Sequence, residues 1–415
     1  MSGSQMEPAS VLVGRRRKLL LLGGSRFLQP VIEAARELEC HVITMDYLPN
    51  NDAHALSDEY VNVSVVDREA VLAAAKKLGV DGIMSFACDA GAVSAAYAAE
   101  RLGLASVGPL ESVSVLQNKP RFRRFLRDNG FNCPTALTFA SADEAQRSCD
   151  DVPYPAIVKP ADSAGSKGCE RVDGPETLRG AVERALEFSI TGTCIVEQFI
   201  EKACPSSDSD CFTVDGRFEC VSFTAQYFDD QAANPYAPAA YGMPSGIPKA
   251  ASLQLTEDLR HLANLLDMRT GVYNVETRVG TNGLPYIMEA SPRGGGNRLC
   301  ELLRYASGVD LIKASVVAAL GEQPQGVEMP EYDGFWYEVM LHSERGGTYC
   351  GIEYAGGFSE EHVIDEQVWI AEGAHVNAFR AGGDAFGSVI MRFDTQQEFE
   401  AFRTSGDELM RVKVV

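Results

Sequence analysis

The stretch VYNVETRVGTNGLPYIMEASPRGGGNR, residues 272–298, decides the fold of the part of the chain around it. Asn282-Gly283 is a strong signal for a two-residue β-turn, and strand-forming residues alternate on both sides of it. A two-residue turn at this position pairs Glu276 directly with Glu289. The stretch therefore predicts a hairpin that places two carboxylates side by side.

Two like charges that face each other across a β-ladder destabilise the sheet unless a cation lies between them or a carboxyl pKa is raised. The same register places Asn274 opposite Ser291 on the same face. Oxygen ligands without a nearby His or Cys suit a hard ion such as Mg²⁺ better than Zn²⁺. The alternative is an ordinary exposed hairpin whose two glutamates point into water.

The composition is that of a globular protein large enough for two to four domains. Of 415 residues, 45% are hydrophobic and 23% are charged, which excludes a disordered chain. No apolar run approaches the roughly 18 residues that a membrane helix needs. The formal net charge of −21 argues against nucleic acid or an anionic membrane as the main partner, because both attract basic surfaces.

Cysteine and histidine usage indicates neither a zinc site nor a disulfide framework. The eleven cysteines contain no CxxC pair, and the six histidines are scattered. Free thiols favour a reducing compartment, so the cytoplasm is the expected location.

The first residues are expected to form a leader. Residues 1–17 precede the first predicted strand and are expected to be disordered, with Met6 as an alternative start. The basic residues 15–18 before the apolar residues 19–22 are superficially similar to a signal peptide. The apolar run stops at Gly23, however, and no small-residue cleavage site follows, so residues 18–22 are predicted to form a strand.

Strands alternate with helices over residues 18–118, which predicts a parallel sheet with right-handed crossovers. Gly23-Gly24 after the first strand, with Asp46 further on, is weakly typical of a dinucleotide-binding fold, although the full GxGxxG is absent. Residues 111–129 are predicted to form one helix that contains Lys119.

An anion site is predicted near Lys159. This lysine lies in an apolar strand, where an unpaired ammonium is costly, so it is expected to face an anion. The loop of residues 162–168 can present backbone N–H groups to phosphate oxygens, and Lys167 adds charge. Taken alone, any turn of small residues has this appearance.

The remaining segments are predicted from their patterns: a polar connection at 201–210, a hairpin at 212–224, a long loop at 226–248, and helices at 253–266 and 299–320, the second interrupted at Gly308. From Phe335 onward, short strands and glycine turns predict a small α+β cap. Its histidines are expected to be structural or exposed, because they lack a triad-like companion.

Together these motifs resemble those of the ATP-grasp superfamily, and more narrowly its carboxylate–amine ligases. The resemblance covers about residues 18–320 and rests on Lys119, Lys159, the 163–168 loop, Glu197-Gln198-Phe199-Ile200, Glu276, Glu289 and Ser291-Pro292-Arg293. It implies an α/β and α+β multidomain fold with a Rossmann-like pre-ATP-grasp domain (18–118), a two-subdomain ATP-grasp core (119–325, flap subdomain about 134–196) and a C-terminal α+β domain (326–415).

The resemblance also implies a role for each matching residue. The ATP phosphates are expected to contact Lys119, Lys159 and a flap formed by Ser163, Gly165, Ser166, Lys167 and Gly168. The adenine edge is expected to be read by Glu197, Gln198, Phe199 and Ile200. The ligands of Mg²⁺, or alternatively Mn²⁺, are expected to be Glu276 and Glu289. Arg293, together with Lys159, is expected to stabilise the transferring phosphoryl group.

Two positions depart from the family pattern. The third metal position is Asn in the family's Glu-x-Asn-Pro-Arg and is Ser291 here, whose oxygen can still bind magnesium directly or through water. The ribose-binding acid is Asp210 or Asp208 by position, and neither matches cleanly.

The implied reaction converts a carboxylate and ATP into an acyl phosphate, which an amine then attacks to give an amide or peptide bond. The substrate carboxylate is expected to be clamped by Arg278, Arg298 and the backbone of Gly294 and Gly295, because arginine suits bidentate recognition. The expected partners are a small-molecule carboxylate and amine, with a homodimer as the family's habit and no nucleic acid or membrane. The alternatives are a bicarbonate-phosphorylating carboxylase of the carboxyaminoimidazole ribonucleotide synthetase type and a catalytically silent ATP-binding regulatory protein.

Overall fold

A computed structural model describes residues 15–163 and 165–415 of the chain. Most of the expected leader, residues 1–14, lies outside these described residues. Within the described part, no helix combines the length and the apolar character needed to cross a membrane.

The N-terminal part contains strands and helices in alternation. They are β1 (Lys18–Leu22), α1 (Gln29–Glu37), β2 (His41–Asp46), β3 (Glu59–Asn62), α2 (Arg68–Leu78), β4 (Gly82–Ser85), α3 (Asp89–Leu102), α4 (Leu110–Leu116) and α5 (Lys119–Asp128).

The middle part is richer in strands. It contains β5 (Ala136–Phe139), α6 (Ala142–Arg147), β6 (Ala156–Pro160), β7 (Glu170–Val172), α7 (Pro175–Glu187), β8 (Cys194–Gln198), β9 (Ser206–Val214), β10 (Arg217–Val221), β11 (Ala225–Phe228), β12 (Pro238–Met243), α8 (Lys249–Leu265), β13 (Gly271–Val279), β14 (Pro285–Ser291), α9 (Leu299–Ser307) and α10 (Leu311–Ala319).

The C-terminal part contains β15 (Phe335–Leu341), β16 (Gly347–Tyr354), α11 (Phe358–His362), β17 (Val363–Val368), β18 (His375–Val376), β19 (Gly387–Phe393), α12 (Gln396–Ser405) and β20 (Met410–Val414). Short 3₁₀ helices lie at Arg26–Leu28, Asp52–Ala55, Cys149–Asp151, Gly382–Asp384 and Gly406–Glu408.

The first sheet is parallel, with strand order β3-β2-β1-β4, which confirms the predicted α/β fold of this part. Its central strand β1 is buried on both faces, since Leu19 and Leu20 are both 0% exposed. The chain leaves β1 toward β2 on one side and reaches β4 on the other. The carboxyl ends of β1 and β4 therefore flank the crevice where ligands of such sheets bind.

The single helix predicted at 111–129 is wrong. The structure has α4 and α5 instead, and Asn118 separates them because its side chain accepts the backbone N–H of Arg121 at 3.0 Å. An asparagine that caps a new helix starts it at the next residue, which makes Lys119 the first residue of α5.

A four-stranded sheet, order β5-β8-β6-β7, follows and is antiparallel at each pairing. A nine-stranded sheet then joins the middle of the chain to its C-terminal part, in the order β14-β13-β9-β11-β12-β15-β19-β17, with β10 paired to β9. The order β18-β16-β20 forms a further small sheet. Domain boundaries stay a prediction, since β15, β17 and β19 continue the sheet of the preceding part.

Two predictions for the middle of this sheet are wrong. The expected polar connection at 201–210 includes the start of β9, and the expected loop at 226–248 contains most of β11 and all of β12. Both β9 and β12 lie inside the sheet and are buried almost throughout, so they lack the alternation by which a half-exposed strand is recognised.

The hairpin of β13 and β14 pairs Glu276 with Glu289 and Asn274 with Ser291, as predicted. The predicted two-residue turn is wrong. The Gly280 N–H donates to Leu284 O at 2.9 Å, so the loop has three residues, 281–283, and Gly283 has φ +77°. The longer loop shifts the register by one residue. An irregularity beside Glu276 shifts it back, which restores the pairing of the two glutamates.

Helix α8 covers one face of this hairpin. Leu255, Leu259 and Leu262 form one apolar cluster with Tyr273 and Val275. Side chains alternate along a strand, so Asn274 and Glu276, which follow Tyr273 and Val275 in turn, face the side opposite α8.

Candidate active site

The face of the hairpin opposite α8 carries a row of acidic and amide side chains. Strand β9 pairs with β13 and places Asp208 beside Glu276 and Asp210 beside Asn274. Burial and the neighbouring Glu289 carboxylate raise the pKa of Glu276. Glu276 is thus a carboxyl that a cation at this place would stabilise in its charged form.

Lys119 reaches this face from the first turn of α5. Its Nζ lies 3.4 Å from Glu289 Oε2 and donates to the backbone oxygen of Ser163 at 2.9 Å. Burial alone would lower the pKa of Lys119, but Glu289 and other nearby anionic groups raise it. The lysine therefore links Glu289 to the loop that follows β6.

Lys159 of β6 forms an ion pair with Glu197 of β8, with Nζ 3.0 Å from Oε2. Arg123 of α5 holds the other oxygen of Glu197 at 2.8 Å and donates to Met288 O at 2.6 Å. Although burial opposes it, the charges of Arg123 and Lys159 lower the pKa of Glu197 to about 2. This buried cluster fixes the orientation of Lys159.

Arg293 is held by Asp89, the first residue of α3. Its Nε and Nη2 donate to the two oxygens of Asp89 at 2.9 and 2.6 Å. Ser291 Oγ donates to Asp89 Oδ1 at 2.9 Å. Burial would raise the pKa of Asp89, but Arg293 lowers it, so the pair is ionised.

The loop after β6 contacts the connection between β11 and β12. Ser166 Oγ donates to Tyr236 O at 2.9 Å, and Asn234 Nδ2 donates to Ser166 O at 3.2 Å and to Arg380 O at 2.8 Å. Asn234 therefore joins the predicted flap to the C-terminal part of the chain.

These elements enclose one pocket of about 150 Å³. The predicted site residues among its walls are Lys119, Lys159, Ser163, Gly165, Ser166, Gln198, Ile200, Glu276, Arg278, Glu289 and Arg293. The other wall residues are Ile157, Cys169, Phe228, Tyr236, Asn274 and Met288. The walls therefore combine cations and carboxylates with apolar side chains such as those of Ile157, Ile200 and Met288.

Other predicted site residues lie outside this lining: Lys167, Gly168, Glu197, Phe199, Asp210, Ser291, Gly294, Gly295 and Arg298. Asp210 Oδ1 accepts the Gly295 N–H at 2.7 Å, and its Oδ2 lies 2.9 Å from Cys300 Sγ. Asp210 therefore supports the glycine turn after Arg293.

The two arginines predicted to clamp a carboxylate lie in different places. Arg278 donates to Ile200 O at 3.0 Å and to Ser206 Oγ at 3.1 Å at the edge of the pocket. Arg298 is buried away from the pocket, where it donates to Glu301 at 3.0 Å and to Asp365 at 2.7 Å.

Sequence reasoning missed Asp89, Arg123 and the role of Asn274 as a wall residue. Asp89 carried a usable signal, because a polar residue just after a parallel strand lies at the ligand-binding edge of the sheet. Arg123 follows Lys119 by four residues, so the two share a helix face. The partners of both residues are more than 70 positions away in sequence.

The donor set fits a magnesium ion that also binds phosphate. Among residues 15–163 and 165–415, no three His, Cys, Asp or Glu side chains are grouped so as to hold a metal by themselves. The directly paired Glu276 and Glu289 supply two carboxylates, and Mg²⁺ is commonly held by one or two carboxylates together with substrate phosphates.

Comparison with known sequences gives a family match over residues 152–301, to a model described as "ATP-grasp domain". The formate-dependent phosphoribosylglycinamide formyltransferase of Synechococcus sp. (strain WH7803) is 32% identical over 187 residues, 44% of this chain and 48% of that protein. Carnosine synthase 1 of Mus musculus is 25% identical over 358 residues, 78% of this chain and 42% of that protein. The chain spans between about a fifth and about half of the length of the first curated relatives it matches.

Solved structures share the whole fold. The L-amino acid ligase of Bacillus licheniformis has a TM-score of 0.78 at 19% identity, with 97% of this chain and 99% of that chain covered. The N5-carboxyaminoimidazole ribonucleotide synthetase of Thermotoga maritima has a TM-score of 0.73 at 15% identity, with 96% and 100% covered. At this identity the likenesses establish the fold.

Proposed function

We propose that this chain, which matches an ATP-grasp family model over residues 152–301, is an ADP-forming ligase of the ATP-grasp superfamily that joins a carboxylate to an amine. The observation that carries the proposal is the single pocket in which Lys119, Lys159 and Arg293 accompany the paired glutamates. Three cations around a pair of carboxylates that could bind a metal suit a triphosphate, and the apolar wall residues of the same pocket suit a nucleotide base.

In this proposal the nucleotide lies along the pocket. Ile157, Ile200 and Met288 hold the base, while Lys119 and Lys159 neutralise the phosphates. Bound Mg²⁺, held by Glu276 and Glu289, would neutralise the phosphate charge that develops during transfer. The expected third ligand, Ser291, donates to Asp89 in the structure, so this part of the proposal is limited to the two glutamates.

The chemistry requires two transfers and no protein nucleophile. A substrate carboxylate oxygen bonds to the γ-phosphorus of ATP as the bond to the bridging oxygen of ADP breaks. The amine nitrogen then bonds to the acyl carbon, inorganic phosphate leaves, and the nitrogen releases its proton to solvent. Arg293 stabilises the charge of the transferring phosphoryl group, and the flap around Ser166 excludes the water that would hydrolyse the acyl phosphate.

The pocket cysteine is not needed as a nucleophile. Burial raises the pKa of Cys169, which favours its neutral thiol. All eleven cysteines are free thiols, which supports the cytoplasmic location that we include in the proposal. Small-molecule substrates follow from the pocket size, and a homodimer stays part of the proposal.

Release of ADP from ATP tests the activity. The purified chain is incubated with Mg²⁺, ATP and single or paired amino acids, and ADP and amide products are measured by chromatography. We expect ADP to appear only with a carboxylate substrate, and an amide only with an added amine. Bicarbonate dependence would favour the carboxylase alternative, and no stimulated turnover would favour a silent ATP-binding protein.

Replacing Glu289 by Gln removes one proposed metal ligand but keeps the side-chain shape. We expect turnover to fall by at least about a hundredfold, because a carboxylate ligand to the metal is lost, while the melting temperature stays within a few degrees. Steady-state ADP release and thermal unfolding measure the two effects. The exposed Glu344→Gln is the matched control, and near-normal turnover of Glu289→Gln would contradict the assignment.

A further inference from the structure

Two side chains that could supply a further metal ligand, those of Asn274 and Ser291, lie next to the paired glutamates. Asn274 and Ser291 are directly opposite each other in the β13–β14 ladder, one pair along from Glu276 and Glu289. An oxygen of this pair that lines the pocket is the better placed of the two to contact a cation bound by the glutamates. The following inference rests on the proposed function, because it concerns the same metal.

The hydroxyl of Ser291 is engaged by two carboxylates. Its Oγ donates to Asp89 Oδ1 at 2.9 Å and lies 3.4 Å from Glu289 Oε1, and the residue is 1% exposed. Ser291 is also absent from the residues that line the pocket. Its contact with Asp89 supports the carboxylate that holds Arg293.

Asn274 lines the pocket together with Glu276 and Glu289. Its Nδ2 lies 2.7 Å from Asp208 Oδ1 and 3.3 Å from Asp210 Oδ1. Because two carboxyl oxygens converge on one atom of the amide, that atom is the nitrogen rather than the oxygen. The amide oxygen is therefore on the other branch of the side chain, away from the two aspartates.

The amide nitrogen of Asn274 also lies close to the backbone of Gly295. A Cβ atom built on Gly295 would be only 2.8 Å from Asn274 Nδ2. The backbone N–H of Asn274 also donates to Arg293 O at 2.8 Å. Asn274 is therefore held at both its backbone N–H and its amide nitrogen.

We propose that Asn274, and not Ser291, supplies the third protein oxygen of the divalent-cation site, next to Glu276 and Glu289. An amide carbonyl is a hard oxygen donor of the kind that Mg²⁺ accepts. Hydrogen bonds from its nitrogen to two carboxyl groups polarise the amide and increase the negative charge on its oxygen. Asp208 and Asp210 thus orient the amide of Asn274 by accepting hydrogen bonds from its nitrogen, and Ser291 positions Arg293 through Asp89.

Binding of Mn²⁺ in the presence of ADP tests this assignment without requiring turnover. Free Mn²⁺ is measured by electron paramagnetic resonance while the ion is titrated into chain and ADP. We expect Asn274→Ala to weaken Mn²⁺ binding by at least about tenfold. Removal of a residue that only hydrogen-bonds to a metal ligand already lowers metal affinity by about tenfold or more. Ser291→Ala is expected to stay within about twofold of the native protein, and Glu289→Gln serves as the positive control.

The outcomes separate this inference from the proposed function. Loss of binding in Glu289→Gln with native binding in Asn274→Ala would overturn the role of Asn274 alone. So would a loss in Ser291→Ala as large as that in Glu289→Gln. If the native chain itself binds no Mn²⁺ in the presence of ADP, both the proposed metal site and this inference are wrong.

A crystal of the native chain grown with Mg²⁺ and ADP gives a test that does not depend on the folding of a variant. We expect a metal–oxygen distance of about 2.1 Å to Asn274 Oδ1, the normal value for Mg²⁺. Coordination by Ser291 Oγ with Asn274 Oδ1 outside the coordination shell would overturn the assignment.

Discussion

Arg293 depends on a carboxylate that is 204 residues away in sequence. Both oxygens of Asp89 accept its guanidinium, and the pair is largely buried. A bidentate ion pair of this kind fixes a guanidinium in position and orientation more tightly than a single hydrogen bond. Asp89 is therefore a positioning residue for the proposed phosphoryl-transfer site.

Replacing Asp89 by Asn keeps the shape of the side chain and removes its charge. We expect kcat to fall by about a hundredfold while the affinity for ATP changes little, because Arg293 loses its orientation and the lysines remain. Steady-state kinetics and ADP binding by calorimetry measure the two quantities. The exposed Asp52→Asn controls for loss of a carboxylate, and a parallel loss of ADP affinity would contradict a positioning role.

In the β13–β14 hairpin, two shifts of register cancel, so that Glu276 is paired with Glu289 as predicted. A three-residue loop moves the register by one position, and the irregularity beside Glu276 moves it back. Without the second change, one of the two glutamates would lie on the wrong face, because each strand alternates its faces with every residue. The bulge is therefore part of the proposed metal site.

The connection between β11 and β12 joins the flap loop to the C-terminal part through Asn234. We expect Asn234→Ala to raise the KM for ATP several-fold and to expose the flap loop to proteolysis, because Ser166 O and Arg380 O lose their shared donor. Kinetics and limited proteolysis with and without ADP measure these effects. Gln231→Ala, an exposed change in the same connection, is the control; unchanged flap cleavage in Asn234→Ala would contradict the link.

At the scale of the whole molecule, one sheet connects the proposed site to the C-terminal part. Arg298 forms ion pairs with Glu301 of α9 and with Asp365 of β17, and its Nη1 donates to Ser388 of β19 at 3.0 Å. This buried arginine therefore joins the segment after Arg293 to the far strands of the nine-stranded sheet.

Glu338 of β15 lies in the same region and gives the fold a pH dependence. It is 0% exposed, and the nearby Arg298 and Ser388 offset only part of the effect of its burial. Burial raises the pKa of Glu338 from its ordinary 4.5 to about 8. The folded chain then holds a proton that the unfolded chain loses above pH 4.5, so stability falls as pH rises from about 4.5 to about 8.

Glu338→Gln removes this titration with little change in shape. We expect the variant to melt a few degrees above the native chain at pH 9 and close to it at pH 5, because a neutral amide does not need to hold a proton. Thermal unfolding between pH 5 and 9 measures the difference. Glu344→Gln, at an exposed position, is the control, and a constant difference at every pH would contradict the titration.

The sequence by itself determined the parallel N-terminal sheet, the β13–β14 hairpin and the resemblance to the ATP-grasp superfamily, which the family match over residues 152–301 supports. These features follow from local periodicity, a turn signal and the residue types of short motifs, which neighbouring residues in the chain carry. The pairing of Glu276 with Glu289 also depends on the irregularity beside Glu276. The sequence did not reveal β11, β12 or the full extent of β9, because strands inside a sheet are apolar on both faces or carry polar groups paired in the interior.

Only the tertiary structure decided which of the matching residues share the pocket. Asp89, Arg123 and Asn234 contact partners that are 68 or more residues away, and such contacts depend on how the sheets pack against one another. Tertiary packing also gives Asn274 and Ser291 different environments. The two are paired in the ladder, yet Asn274 lines the pocket and Ser291 does not, because Asp89 at the start of α3 accepts the Ser291 hydroxyl.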